Sequence, residues 1–78
     1  MIVRVLYFAG LRERRGVGEE ELEVAPGTTL AELYATLFPP GEHGALPVAF
    51  TRNRAVSHGS TVIEAGDEIS FLPPLGGG

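Results

Sequence analysis

Apolar and polar positions alternate at both ends of the chain and switch to helical spacing near the middle. Ile2 to Ala9 is rich in β-branched and aromatic residues and predicts a strand with Val3, Val5 and Tyr7 on one face and Leu6 and Phe8 on the other. Gly10 to Gly18, with Arg12, Glu13, Arg14 and Arg15 between glycines, reads as an exposed connection. From Glu19 to Ala25, Leu22 and Val24 alternate with Glu21 and Glu23, which predicts a second strand with one wet face, hairpinned to the first. Pro26-Gly27 marks a turn, and Thr29-Leu30-Ala31-Glu32 fits a capping box ahead of Leu30, Leu33, Tyr34 and Leu37 at helical spacing. Pro39-Pro40-Gly41 stops that helix.

Beyond a loop at Glu42 to Ala45, a third strand is expected from Leu46 to Thr51 and a short one from Ala55 to Ser57. Thr61 to Ile63 then leads into a turn at Ala65-Gly66-Asp67, where Gly66 suits a left-handed conformation. The last strand is Glu68 to Leu72, with Ile69 and Phe71 facing the core and Ser70 and Leu72 opposite. This order suggests an α+β domain over residues 1–72, one helix on one mixed sheet, followed by a flexible Pro/Gly tail at 73–78. Placing the first and last strands side by side and parallel in the sheet centre gives the ubiquitin-like β-grasp arrangement. Alternation alone does not select that topology.

Size and charge narrow the function classes. A chain of 78 residues has little capacity for a deep substrate pocket, so a carrier, binding module or subunit is expected rather than a self-contained enzyme. Ten acids against six arginines give a net charge of -4, which disfavours nucleic acid. No segment resembles a membrane span or signal peptide, so a cytoplasmic protein is expected. Cysteine is absent, and with it any thiol chemistry on a side chain. Lysine is absent too, so no side chain can receive an isopeptide bond.

Side-chain chemistry is sparse. His43 and His58 match no metal-ligand spacing and read as exposed loop histidines. Ser57, Ser60 and Thr61 near His58 lack an acid at triad spacing, which argues against a hydrolase. Glu19, Glu20, Glu21 and Glu23 read as a solvated strand face and turn, the alternative being steering toward a basic partner. The remaining candidate is the end, Pro73-Pro74-Leu75-Gly76-Gly77-Gly78. Six extended residues reach about 20 Å at roughly 3.3 Å each. Consecutive glycines, lacking Cβ atoms, pass through channels closed to other residues. An α-carboxylate is a poor electrophile until activated, commonly as an acyl-adenylate made from ATP by another enzyme. The activated group then accepts sulfur, giving a thiocarboxylate, or an amine, giving an amide.

Three stretches resemble the small subunit of molybdopterin synthase: Val5-Leu6-Tyr7-Phe8-Ala9-Gly10-Leu11-Arg12-Glu13, Asn53 followed by Val56, and Gly66-Asp67-Glu68-Ile69-Ser70-Phe71-Leu72-Pro73-Pro74-Leu75-Gly76-Gly77-Gly78. The resemblance implies a β-grasp sulfur carrier, not an enzyme by itself, whose Gly78 is adenylated, thiocarboxylated and inserted into a large synthase subunit. There it donates sulfur to cyclic pyranopterin monophosphate. It also implies slim access through Gly76 and Gly77, partner contacts at Phe8, Val56, Leu72, Pro73, Pro74 and Leu75, and a heterotetramer with the large subunit. An adenylating enzyme using ATP and a sulfur donor protein would be further partners, with no permanently bound cofactor, metal, nucleic acid or membrane. Two positions depart from the family pattern: Arg52 replaces an apolar residue, unsettling the third-strand register, and Gly76 replaces a small polar residue or alanine. Rival readings are a carrier for thiamine or tRNA thiolation, a ubiquitin-like protein modifier, and a non-covalent β-grasp binding module.

Overall fold

The computed structural model describes residues 1–41 and 47–73. Strand β1 (Ile2–Tyr7) buries Val3, Val5 and Tyr7, as alternation predicts. Helix α1 (Ala9–Arg15) then occupies most of the stretch expected to be a loop. Its only buried residue is Leu11, too little for a helical stripe to show in the sequence. Its C-terminal end is nevertheless well specified, whereas its start has no side-chain cap and holds Ala9 at φ 50°. The Phe8 carbonyl accepts from the Leu11 and Arg12 amides, Gly16 closes the helix at φ 80°, and three arginines complement its negative end.

Strand β2 (Glu19–Glu23) pairs antiparallel with β1 and ends two residues earlier than expected, although the Val24 amide still donates to the Met1 carbonyl (2.8 Å). Helix α2 (Leu30–Leu37) opens on the expected capping box: Thr29 accepts from the Glu32 amide, and Glu32 accepts from the Thr29 amide. Such a cap stabilises a helix start by about 1 kcal/mol. Strand β3 (Ala49–Arg52) starts three residues later than expected and runs one further. Leu46 lies outside the described residues, Pro47 has no amide to donate, and Arg52 remains in the ladder opposite Ile69 and Ala55. Strands β4 (Ala55–Ser57) and β5 (Glu68–Leu72) fall where expected, and Gly66 takes φ 82°.

The five strands lie in the order β2-β1-β5-β3-β4, with β1 and β5 parallel at the centre. That is the expected β-grasp arrangement. Both helices pack on the face bearing Val3, Val5, Tyr7, Ile69 and Phe71. Rings of Tyr7, Tyr34, Phe38, Phe50 and Phe71 meet there edge-on or tilted, 5.1 to 6.5 Å between centroids. The opposite face carries Arg4, Leu6, Thr51, Val56, Ser70 and Leu72, and no helix among the described residues covers it.

Candidate functional site

The parallel register fixes where the chain leaves the sheet. Tyr7 lies opposite Phe71, so β1 and β5 finish at the same end, and Phe8 continues β1 in extended geometry (φ -129°, ψ 151°) beside Leu72. Period-two alternation turns both side chains to the helix-free face. Phe8 is 44 % exposed and Leu72 37 %, and Pro73 follows as the last described residue. Val56, 80 % exposed, reaches the same face by another route. It pairs with Thr51, Thr51 with Ser70, and Ser70 with Leu6, which makes one row across four strands.

Two strand spacings of about 4.8 Å separate Val56 from β5. The face therefore has an apolar edge by the chain exit, a second apolar point on β4, and between them the hydrogen-bonded hydroxyls of Thr51 and Ser70. Ser70 is buried even though it faces away from the core, and pairing with Thr51 satisfies its hydroxyl. Phe8, Val56, Leu72 and Pro73 are thus on the described surface. Pro74, Leu75, Gly76, Gly77 and Gly78 lie outside the described residues, as does His43.

The other end of β5 is clamped by a polar hub that the pattern of the sequence concealed. Asp67 accepts from Arg52 Nε (2.6 Å), Asn53 Nδ2 (3.0 Å) and the Glu64 amide (2.8 Å), while Arg52 Nη2 also donates to Glu64 (2.7 Å). Burial alone would raise the Asp67 pKa, but these donors outweigh it and hold the carboxyl below its ordinary value. Asn53 completes the clamp, its side-chain oxygen accepting from the Glu68 amide (2.9 Å). Arg52, which looked like a misfit in the third strand, is what joins the β3–β4 hairpin to the start of β5.

A second hub fixes α1. Glu20 faces the helix side of β2 rather than solvent, unlike Glu19, Glu21 and Glu23, and accepts from the Tyr7 hydroxyl (2.6 Å) and from Arg15 Nη2 (2.7 Å). The Tyr7 hydrogen bond, with Arg15 assisting against burial, lowers the Glu20 pKa, while burial and Glu20 together push the Tyr7 phenol up. Neither hub is open chemistry, because every partner is engaged. His58 is exposed, and no described group of three or more His, Asp or Glu side chains could hold a metal ion.

What the fold presents, then, is a sheet tied by the Asp67 hydrogen bonds at one end and, at the other, the end of β5 beside an apolar edge that no helix of the described residues covers. The ThiS family matches residues 5–78. The chain belongs to that family. It is 35 % identical to the molybdopterin synthase sulfur carrier subunit of Mycobacterium tuberculosis, covering 97 % of this chain and 96 % of that one. It is 32 % identical to the subunit of the same name from Chlamydomonas reinhardtii, over the whole of both. Among solved structures, SAMP1 of Haloferax volcanii superposes with a TM-score of 0.79 at 24 % identity over both full chains, a likeness of fold. A chain from the complex of subunits 1 and 2 of the molybdopterin-converting factor of Helicobacter pylori superposes at 0.64 with 27 % identity, again over both full chains. No helix of the described residues is long and apolar enough to cross a membrane.

Proposed function

We propose that this chain is the sulfur carrier subunit of a molybdopterin synthase, a non-catalytic partner whose Gly78 carries the sulfur. The observation that carries this reading is that β1 and β5 finish at one end of the sheet, where Pro73, the last described residue, follows Leu72 beside Phe8. A partner gripping that edge sits next to the residue from which the glycine-rich segment continues. The carboxylate of Gly78 attacks the α-phosphate of ATP on an adenylating enzyme and pyrophosphate leaves. The terminal sulfur of a donor-protein persulfide displaces AMP, and a thiol then attacks the donor sulfur of the acyl disulfide, forming a disulfide with it and releasing the thiocarboxylate. In the large synthase subunit the resulting thiocarboxylate gives its sulfur to cyclic pyranopterin monophosphate. Gly76 and Gly77 provide the slim approach, with Pro73, Pro74, Leu75, Phe8, Val56 and Leu72 as the docking contacts. Two large and two small subunits form the working complex, and the cytoplasm, which supplies ATP, is its compartment.

The test uses the full chain with its cognate adenylating enzyme, MgATP and a sulfur donor. Intact mass should rise by one sulfur less one oxygen, and the product plus the large subunit should convert the pterin precursor. An unchanged mass, under conditions that thiolate a known carrier, removes the carrier reading. Conjugates on cellular lysines without precursor conversion would mark a protein modifier instead.

A further inference from the structure

All six side-chain cations are arginine, and packing accounts for only half of them. Arg15 lies over the Tyr7 ring (5.6 Å) and sends Nε and Nη2 to one Glu20 oxygen. Arg52 forks between Asp67 and Glu64, and Arg14 lies over Phe38 (5.3 Å). A lysine reproduces neither a fork nor a planar stack. The other three make no such demand. Arg4 only approaches Glu19 and Arg54 only approaches Glu68, each at 3.6 Å, with side chains 56 % and 87 % exposed. Arg12 is exposed on α1 beside Gly18. Lysine would serve as a surface charge at all three.

The difference between the two side chains there is chemical. Guanidinium keeps its proton at any ordinary pH and has no lone pair to offer, whereas a lysine amine acylates. The one amine in the sequence, on Met1, is part-buried where β1 meets the end of β2. It donates to the Val24 carbonyl (3.0 Å) and meets Glu23 (2.7 Å), while the Met1 side chain packs against the core. There is no thiol. The Tyr7 phenol is bound to Glu20, and an acyl group on exposed His58 would be lost to water.

We propose that this chain is a one-way acyl donor: its folded surface offers no amine acceptor, so its own activated end is captured neither by itself nor by a second copy. The inference rests on activation of the Gly78 carboxyl. The reaction avoided is attack of an amine nitrogen on the activated carbonyl, in which a C–N bond forms, the C–O bond to AMP or the C–S bond of a thioester breaks, and the amine proton passes to solvent base. Activated copies therefore accumulate together without cross-linking and await an external nucleophile.

The test bypasses the adenylating enzyme. The full chain is prepared as a Gly78 thioester by intein cleavage with a small thiol, then incubated at mildly alkaline pH with excess unactivated chain, and products are read by intact mass. Folded wild-type acceptor should give thioester hydrolysis and almost no amide-linked dimer. An acceptor extended at its N-terminus by Gly-Ser-Gly, which carries the amine off the fold, should give dimer roughly tenfold faster, as expected when reaction at Met1 requires local opening. Acceptors carrying R4K, R12K or R54K singly should also exceed wild type, with circular dichroism verifying that each is folded. Dimer through Met1 of the folded wild type at the rate of the extended chain would overturn the proposal, and so would lysine variants no better than wild type. Failure of the enzymatic sulfur-loading assay alongside an inert wild-type acceptor would instead count against the carrier reading.

Discussion

Arg54 occupies a backbone conformation that ordinarily belongs to glycine. Asn53 and Arg54 have φ of 52° and 70°, the two consecutive left-handed residues that a tight hairpin between β3 and β4 needs, and Asn-Gly is the preferred pair there. Asn53 is explained by its hydrogen bonds to Asp67 and Glu68. Arg54 has only a distant, exposed contact with Glu68 to offset its strain. Arg54→Gly should therefore raise the urea midpoint by the equivalent of about 1 kcal/mol with an unchanged slope. A lower midpoint would mean that the Arg54 side chain contributes more than its contacts indicate. A short connection was legible from the expected strands ending at Thr51 and starting at Ala55, but the strain was not, since nothing in Asn-Arg announces two positive φ values. The same holds for Glu20: in a run of glutamates, only the pairing register of β2 against β1 turns one of them toward Tyr7.

Elements with a long apolar repeat, such as β1, β5 and α2, were readable from the chain, and α1 was not. Seven residues with one buried leucine and three arginines look like a loop, and the helix forms because Leu11 has the core to enter and Gly16 ends it cleanly. The start of β5 is equally dependent on distant residues. Asp67 is buried, and its lowered pKa means that the ionised form belongs to the folded state. Its contribution is fully present above the unfolded value of about 3.9 and is lost as pH falls through the lower folded value. Asp67→Asn should thus cost roughly 1–3 kcal/mol at neutral pH, because Arg52 loses its charged acceptor. The gap between wild type and variant, measured by urea midpoints, should narrow as pH is lowered from 5. A gap independent of pH would assign the cost to packing rather than charge.

At the scale of the whole molecule, two ends of the sheet have opposite characters. The Asp67 hub fixes one, and the other releases the chain beside Phe8, Leu72 and, further across the face, Val56. Leu72→Asp and Val56→Asp should each weaken binding to the large synthase subunit about tenfold or more by calorimetry. Their exposed positions should leave the thermal midpoint close to wild type. A large fall in that midpoint would make these residues part of the core rather than the docking edge. The sequence by itself determined the strand faces, the capped helix, the absence of thiols and lysines, and the glycine-rich end, because local periodicity, capping and composition act within a few residues of chain. Only the tertiary structure decided that β1 and β5 run parallel and exit together, that Arg52 and Asp67 meet, and that Met1 is tied to Glu23 and Val24. Those facts depend on register between segments far apart in the chain, which alternation leaves free and burial of one common core fixes.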